Sequence, residues 1–384
     1  MFGLTGSIAL ARLHNEEYID PEDTEPSKPR RNRLAAEVGF AVVGLGMGKH
    51  HCRSIDEGKG SRLAAVCDLD EERLAQMTDK FGCKGYTSFY DLLRDDEVEV
   101  INIATPSGTH VEFGLKVLDA GKHIIVEKPA DINTERIDAL AKAGQARGVK
   151  IGCIFQSRLE PLNARIYDTI QSGRLGKLIG LHGHLPWYRA QSYFDGPHGE
   201  WKGTWSLDGG GSLMNQGVHT VDLLQWFGGG VKSVMGMFDV YNHDIESEDQ
   251  AAALVRFKNG ALGTIYTTTC CFPGYDQRIT IYGSKGSILK TATELLAWNI
   301  QDEEGEEEGK EMMRIFGPKD ESLGISSDPL ALGADGHTLI VEDMVQAIRE
   351  DREPMIGLAS ARNAVEVINA IFESGRTRAE VVLE

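Results

Sequence analysis

At 384 residues, 41% hydrophobic and 26% charged, the chain has the composition of a soluble globular protein with room for two domains, each with its own core. Its 58 acidic against 40 basic residues leave a formal net charge of −18, which excludes nucleic acid and anionic membrane surfaces as default partners, since both reward basic faces. No run nears the roughly 18 apolar residues of a membrane span, and Met1–Leu13 lacks the basic start of a signal peptide.

Residues 1–36 are acidic, then Pro-punctuated, then basic at Arg30, Arg31 and Arg33, and predict a flexible arm with little to bury. From Val38 the pattern changes. Phe40–Val43, Leu63–Cys67, Val98–Ala104, His123–Val126 and Ile151–Phe155 read as buried strands. Helices are predicted between them over 71–81, 88–94, 109–120 and 133–147. Apolar strands alternating with helices mean a doubly wound parallel sheet, an α/β Rossmann-type domain over 37–157. After a helix near 161–172, longer alternating segments (178–184, 234–241, 251–257, 261–269, 278–282, 287–290) predict an α+β domain with an open, mostly antiparallel sheet over 158–384. Gln301–Glu311 reads as an acidic solvated loop, and helices near 337–349 and 359–374 and a strand at 381–383 close the chain. The six cysteines (Cys52, Cys67, Cys83, Cys153, Cys270, Cys271) lack metal or redox spacing and read as reduced thiols of a cytoplasmic protein.

Chemistry gathers at strand ends. Gly44, Gly46, Met47 and Gly48 follow the first strand, where glycines let a turn tighten and a backbone approach a pyrophosphate on the next helix N-terminus. The spacing is Gly-x-Gly-x-Gly, contracted from Gly-x-Gly-x-x-Gly. Asp68 ends the second strand near the offset of roughly 20 residues at which an acid reads the ribose hydroxyls and repels a 2′-phosphate, which favours NAD over NADP; it also suits a helix cap. Thr105, Pro106 and His110 turn after the third strand, either beside a nicotinamide ribose or simply capping a helix. Glu127-Lys128-Pro129 ends the fourth, aiming an ionisable pair into the crevice. Gly209-Gly210-Gly211 before Leu213-Met214 is a costly helix start and suggests close approach to a ligand. Asn215 and His219 are four apart, on one face of a helix, an acid/base pair or a structural one. Trp187, Tyr193, Trp201 and Trp205 offer faces for a sugar ring, with Arg189 and Lys202 as anion partners; core packing accounts for the tryptophans equally well.

Together, in this order, these motifs resemble the glucose-fructose oxidoreductase / inositol dehydrogenase (Gfo/Idh/MocA) family over residues 38–384. The resemblance implies a Rossmann domain, an open-sheet domain that often forms an oligomer interface (a homodimer or tetramer), and NAD-dependent oxidation or reduction of a sugar, cyclitol or sugar-nucleotide carbon. It implies Lys128 and His219 as catalytic residues and Glu127 and Lys128 at the nicotinamide end. Gln156, Trp201 and Lys202 become cofactor contacts, and Arg158, Asn215 and His219 substrate contacts. No metal is implied. The commoner acid before the histidine is Asn215 here, which orients a ring but cannot stabilise it by charge. Such members are similar to sugar-nucleotide dehydrogenases of the UDP-N-acetylglucosaminuronate type. Two alternatives stand beside a dehydrogenase: a cofactor-retaining lyase, epimerase or glycosidase working by transient oxidation, and a non-catalytic dinucleotide-binding regulator.

Overall fold

Runs such as Phe40–Val43 have no polar face to offer water, so they fold into a sheet covered on both sides. In the computed structural model, which describes residues 37–196, 199–318 and 336–383, the first sheet is built from β1 (Val38–Val43), β2 (Ser61–Cys67), β3 (Lys84–Tyr86), β4 (Val100–Ile103), β5 (His123–Val126) and β6 (Ile151–Cys153). The arm expected over 1–36 lies outside the described residues. All six strands run parallel in the order β3-β2-β1-β4-β5-β6, joined through α1 (Gly48–Glu57), α2 (Glu71–Phe81), α3 (Phe89–Leu93), α4 (His110–Asp119) and α5 (Thr134–Arg147). The order reverses between β1 and β4, and ligands of such sheets bind in the crevice outside the strand ends at that reversal. Capping follows the sequence: Asp70 accepts the amides of Glu72 and Arg73, Asn133 accepts that of Arg136, and Gly82 and Gly148 close α2 and α5 in the left-handed conformation.

The second sheet comprises β7 (Leu178–Pro186), β8 (Val231–Asp239), β9 (Gln250–Phe257), β10 (Leu262–Thr268), β11 (Arg278–Gly283), β12 (Gly286–Lys290), β13 (Leu295–Ile300) and β14 (Val381–Val382), ordered β13-β12-β11-β7-β10-β9-β8-β14. Only β7 and β10 pair in parallel. Alternation sets its two faces. On β9, Ala251, Ala253, Val255 and Phe257 are buried, while Leu254 points the other way and is 61% exposed.

Helices α6 (Pro161–Gln171), α7 (Ser192–Asp195), α8 (Val218–Phe227), α9 (Gly305–Phe316), α10 (Gly336–Arg349) and α11 (Leu358–Thr377) complete the fold. The long α11 packs against β8 and α8 and also against α5 and β6, while α10 packs against α1. The C-terminal helices thus return to the first sheet, and the two sheets belong to one unit. One expectation fails outright. The acidic stretch read as a solvated loop is largely the helix α9, which packs on β13. Glu306, Glu307 and Glu308 lie in its first turn, where carboxylates complement the helix dipole. Lys310 pairs with Glu306 and Glu307, and Arg314 with Glu311.

Candidate active site

Each glycine of the first turn has a separate task. Gly44 has φ +85°, and a Cβ there would lie 2.6 Å from the Ala104 carbonyl oxygen, so this turn needs glycine. At Gly48 a Cβ would lie 2.7 Å from Val42 Cγ1, so this glycine lets α1 close onto β1. Gly46 faces open space, with only the Arg73 guanidinium at 3.8 Å. Behind it, Met47 stands at the N-cap of α1 and supplies no side-chain cap, which leaves the first amides of the helix for an anion. The contracted spacing therefore keeps the division of labour of a dinucleotide loop. Asp68 accepts the Leu45 amide at 2.6 Å and the Asp70 amide at 2.9 Å, and the Arg73 guanidinium stands 3.5 Å away. It braces the glycine turn, and the helix cap is Asp70, not Asp68.

At the ends of β4 and β5 a buried network forms. Asn102 Nδ2 donates to His51 Nδ1 at 3.3 Å, which leaves the proton of His51 on Nε2, donated to Glu127 Oε1 at 3.1 Å. Burial alone would raise the Glu127 pKa. The hydrogen bond from His51, then the Lys128 ammonium, outweigh it and hold the carboxylate at about 2. The ligating atoms of His51, Glu127 and His337 fall within 4.8 Å of one another, but a His51 nitrogen that donates to Glu127 is not offering a lone pair to a metal. Next along the chain, Lys128 Nζ reaches across to the second half and donates to the Asn215 carbonyl at 3.2 Å.

His219 stands in the first turn of α8, its ring edge-on to Phe155. Its Nδ1 is buried without a hydrogen-bond partner, as are Gln156 Oε1 and Asn102 Oδ1. Burial, then the Lys128 ammonium, push the His219 pKa down to about 3, so the imidazole is neutral through the physiological range. A glycine cradle, an uncapped helix start, a ribose-end carboxylate and orphaned polar atoms at the far end fit a dinucleotide laid across the strand ends.

Residues 38–155 match the oxidoreductase family with NAD-binding Rossmann fold, and residues 164–289 match the GFO/IDH/MocA C-terminal domain. The chain belongs to the GFO/IDH/MocA family. A myo-inositol 2-dehydrogenase from Thermotoga maritima is 27% identical over 280 residues, 70% of this chain and 79% of that one. An NAD(+)-dependent scyllo-inositol 2-dehydrogenase from Bacillus subtilis is 27% identical over 261 residues, 66% and 73% of the two chains. Among solved structures, the WlbA dehydrogenase from Bordetella pertussis, in complex with NADH and UDP-GlcNAcA, superposes with a TM-score of 0.79 at 27% identity, covering 91% of this chain and 99% of that one.

Several residues of this GFO/IDH/MocA oxidoreductase make contacts other than those expected. Asn215 does not orient His219. It lies in a π-helical turn (Gly211–Gln216), whose hydrogen bonds run i→i+5, from the Asn215 amide to the Gly210 carbonyl and from Gly217 to Ser212. The wider turn takes Asn215 off the histidine's face, and its side-chain amide donates to Asp208 Oδ1 at 2.6 Å. Arg158, expected at the substrate, has its donors taken up within the protein. It is 6% exposed, its guanidinium paired with the Asp222 carboxylate and the Ser360 hydroxyl, and it fixes α8 in place. His110 is buried, with ring nitrogens 2.8 Å from the Pro129 and Thr105 carbonyls; it ties the 105–109 turn to the end of β5 and presents no ring nitrogen to a cofactor. Thr105 and Pro106 hold that turn through Thr109, whose hydroxyl meets that of Thr105 at 2.8 Å and donates to the Pro106 carbonyl at 2.6 Å.

The triple glycine serves the protein's own packing. A Cβ at Gly209 would lie 2.5 Å from Ile132 Cγ2, and one at Gly211 would lie 2.4 Å from the Glu248 carbonyl oxygen. Glu248, unnoticed in the sequence, accepts the amides of Gly211, Ser212 and Leu213 and so holds the start of the π turn. Asp208, also unnoticed, accepts the Gly203 amide as well as Asn215. Burial raises both carboxyls to about 7. Trp205 packs edge-on to Phe238 and Phe372 with Arg376 over its ring, the packing role that was the other reading of the tryptophans. Trp201 is half-buried, and Lys202 sits over the Tyr193 ring.

Proposed function

We propose that the chain oxidises a secondary alcohol of a sugar, cyclitol or sugar nucleotide. NAD+, when bound, supplies the hydride acceptor. The observation that carries this reading is the meeting of Lys128, from the end of β5, with the turn and helix that carry Asn215 and His219, beside buried polar atoms that lack partners. Lys128 donates a hydrogen bond to the carbinol oxygen and stabilises the negative charge that grows there as the C–H bond breaks. Neutral His219 takes the hydroxyl proton. Asn215 contributes by position, its carbonyl seating the lysine and its amide tied to Asp208. Gly44, Gly46, Met47, Gly48 and Asp68 would hold the pyrophosphate and adenosine ribose, and Thr105, Pro106, Glu127 and Gln156 the nicotinamide end. Relatives bearing inositol dehydrogenase names support the alcohol class.

Lys128→Met and His219→Asn should each lower kcat about 100-fold or more while the Kd for NADH changes little. The measurement is NADH absorbance during turnover on a panel of sugars, cyclitols and sugar nucleotides, with NADH fluorescence for binding. Near-normal turnover in both variants would overturn the assignment. NADH that never accumulates while product forms would move it to a cofactor-retaining lyase or epimerase.

The outer face of the second sheet carries exposed Ile179, Met235, Met237, Leu254, Leu262 and Tyr282, and we assign it to a second copy of the chain in a homodimer or tetramer. All six cysteines are free thiols, which suits a reducing cytoplasm.

A further inference from the structure

Two cations share one aromatic ring beside the Lys128–His219 site. The Arg189 guanidinium lies 5.5 Å from the Tyr193 ring centroid and 5.0 Å from that of Trp187, and Lys202 Nζ lies 3.8 Å from the same Tyr193 ring. Both side chains are half-buried. In a chain with 58 acidic residues, carboxylates are the cheapest partners to place, yet among the described residues neither cation forms an ion pair. Arg189 instead donates to the Tyr188 carbonyl at 3.0 Å and to Gln216 Oε1 at 2.9 Å, and Lys202 reaches the Tyr193 carbonyl at 3.4 Å. Neutral acceptors position the two charges without neutralising them. The carboxylate that acts on Lys202 is Asp208, which is buried and taken up by Gly203 and Asn215.

The pair is wired to the reaction centre. Gln216 accepts from Arg189 and donates to the Tyr193 hydroxyl at 2.9 Å and to Asn215 Oδ1 at 3.0 Å, and the Asn215 carbonyl seats Lys128. From the guanidinium to the catalytic ammonium is a chain of two residues. We propose that Arg189 and Lys202 form an anion subsite that binds a carboxylate or phosphoryl group of the substrate while its carbinol lies at Lys128 and His219. This rests on the oxidoreductase reading and narrows its substrate to anionic sugars, either uronates or sugar phosphates and sugar nucleotides. Lys202 then serves the substrate in place of the cofactor.

The test compares matched probes with NAD+: D-glucose, D-glucuronate and D-glucose 1-phosphate, then UDP-glucose and UDP-glucuronate. The readouts are kcat/KM where NADH forms and, for every probe, Kd for the protein–NADH complex from NADH fluorescence. An anionic member should be preferred at least tenfold over its neutral partner, in the carboxylate arm for a uronate and in the phosphate arm for a phosphorylated sugar. Arg189→Gln should cut that ratio at least tenfold, and Arg189→Lys, which keeps the charge but not the fork, should cut it less. Rising NaCl should erode the preference in the wild type. Equal binding of neutral and anionic probes, a preference that survives Arg189→Gln, or an increase in the KM of NAD+ in place of the sugar's would overturn the proposal. Turnover that survives Lys128→Met and His219→Asn would instead remove those two residues from the chemistry, and the Kd ratios would still report on the anion subsite.

Discussion

Asn215 and His219 were joined in the sequence by a helical geometry that the chain does not adopt there. A spacing of four stacks two side chains on an α-helix, but three glycines and a buried glutamate turn this segment into a π turn, and the amide goes to Asp208. Lys128 and His219 were legible because each ends or follows a recognisable run. Asp208, Glu248, His51 and His337 were not, because their partners are distant in sequence or hidden behind a common residue type. Arg158 was legible as a candidate but not in its contacts: its guanidinium is held by Asp222 and Ser360, 64 and 202 residues away in the sequence. Removing one partner of a buried pair strands the other, so Arg158→Met should cost about 3–5 kcal/mol, seen as a large drop in Tm. A substrate role would raise KM and leave Tm alone. The two raised carboxyls make a pH prediction. Asp208 and Glu248 titrate near 7 when folded but at 3.8 and 4.5 when unfolded, so the stability they contribute is present below pH 4 and lost as pH rises through 7. Asp208→Asn loses an acceptor and costs about 1–3 kcal/mol. Its Tm should nevertheless fall less than the wild type's between pH 5 and 8. A parallel fall in melting scans across that range would show that Asp208 does not titrate there.

Among elements, five of the six strands of the first sheet were readable to within two residues because burial on both faces leaves no polar positions to confuse the pattern, while the short, largely exposed β3 was missed. The acidic α9 was missed since charge density argued for solvent, while the carboxylates in fact sit where a helix start favours them and Gly305, Gly309 and Met312 supply the buried face. The glycine turn gives a three-way test. Gly44→Ala forces a side chain into a positive φ and should destabilise by about 1–2 kcal/mol. Gly48→Ala presses on Val42 and should cost about 1–3 kcal/mol. Gly46→Ala meets nothing closer than 3.8 Å, so Tm should hold while the KM for NAD+ rises. Loss of stability in Gly46→Ala without a change in KM would move the pyrophosphate elsewhere.

For the whole molecule, the sequence separated two domains at about residue 157, but α10 and α11 return to pack on α1 and α5. Long-range returns of this kind leave no local mark on a helix, whose amphipathic stripe looks the same whichever neighbour covers it. The second sheet's outer face belongs to this scale as well. If a second copy covers it, light scattering after size exclusion should give a dimer or tetramer, and Leu254→Lys with Met237→Lys should give a monomer that keeps its fold. A wild type that runs as a monomer at micromolar concentration would leave that face to water.

The lysine of the site rests on a main-chain oxygen, and every amino acid has one. Position 215 can therefore be rewritten, in the laboratory or by drift, without unseating Lys128. What such a rewrite alters is the side-chain bridge to Asp208 and Gln216, and through it the reach toward Arg189. On the roles proposed for Lys128 and Arg189, catalytic competence and substrate choice hang from different atoms of one residue, and an engineer can vary the second while keeping the first.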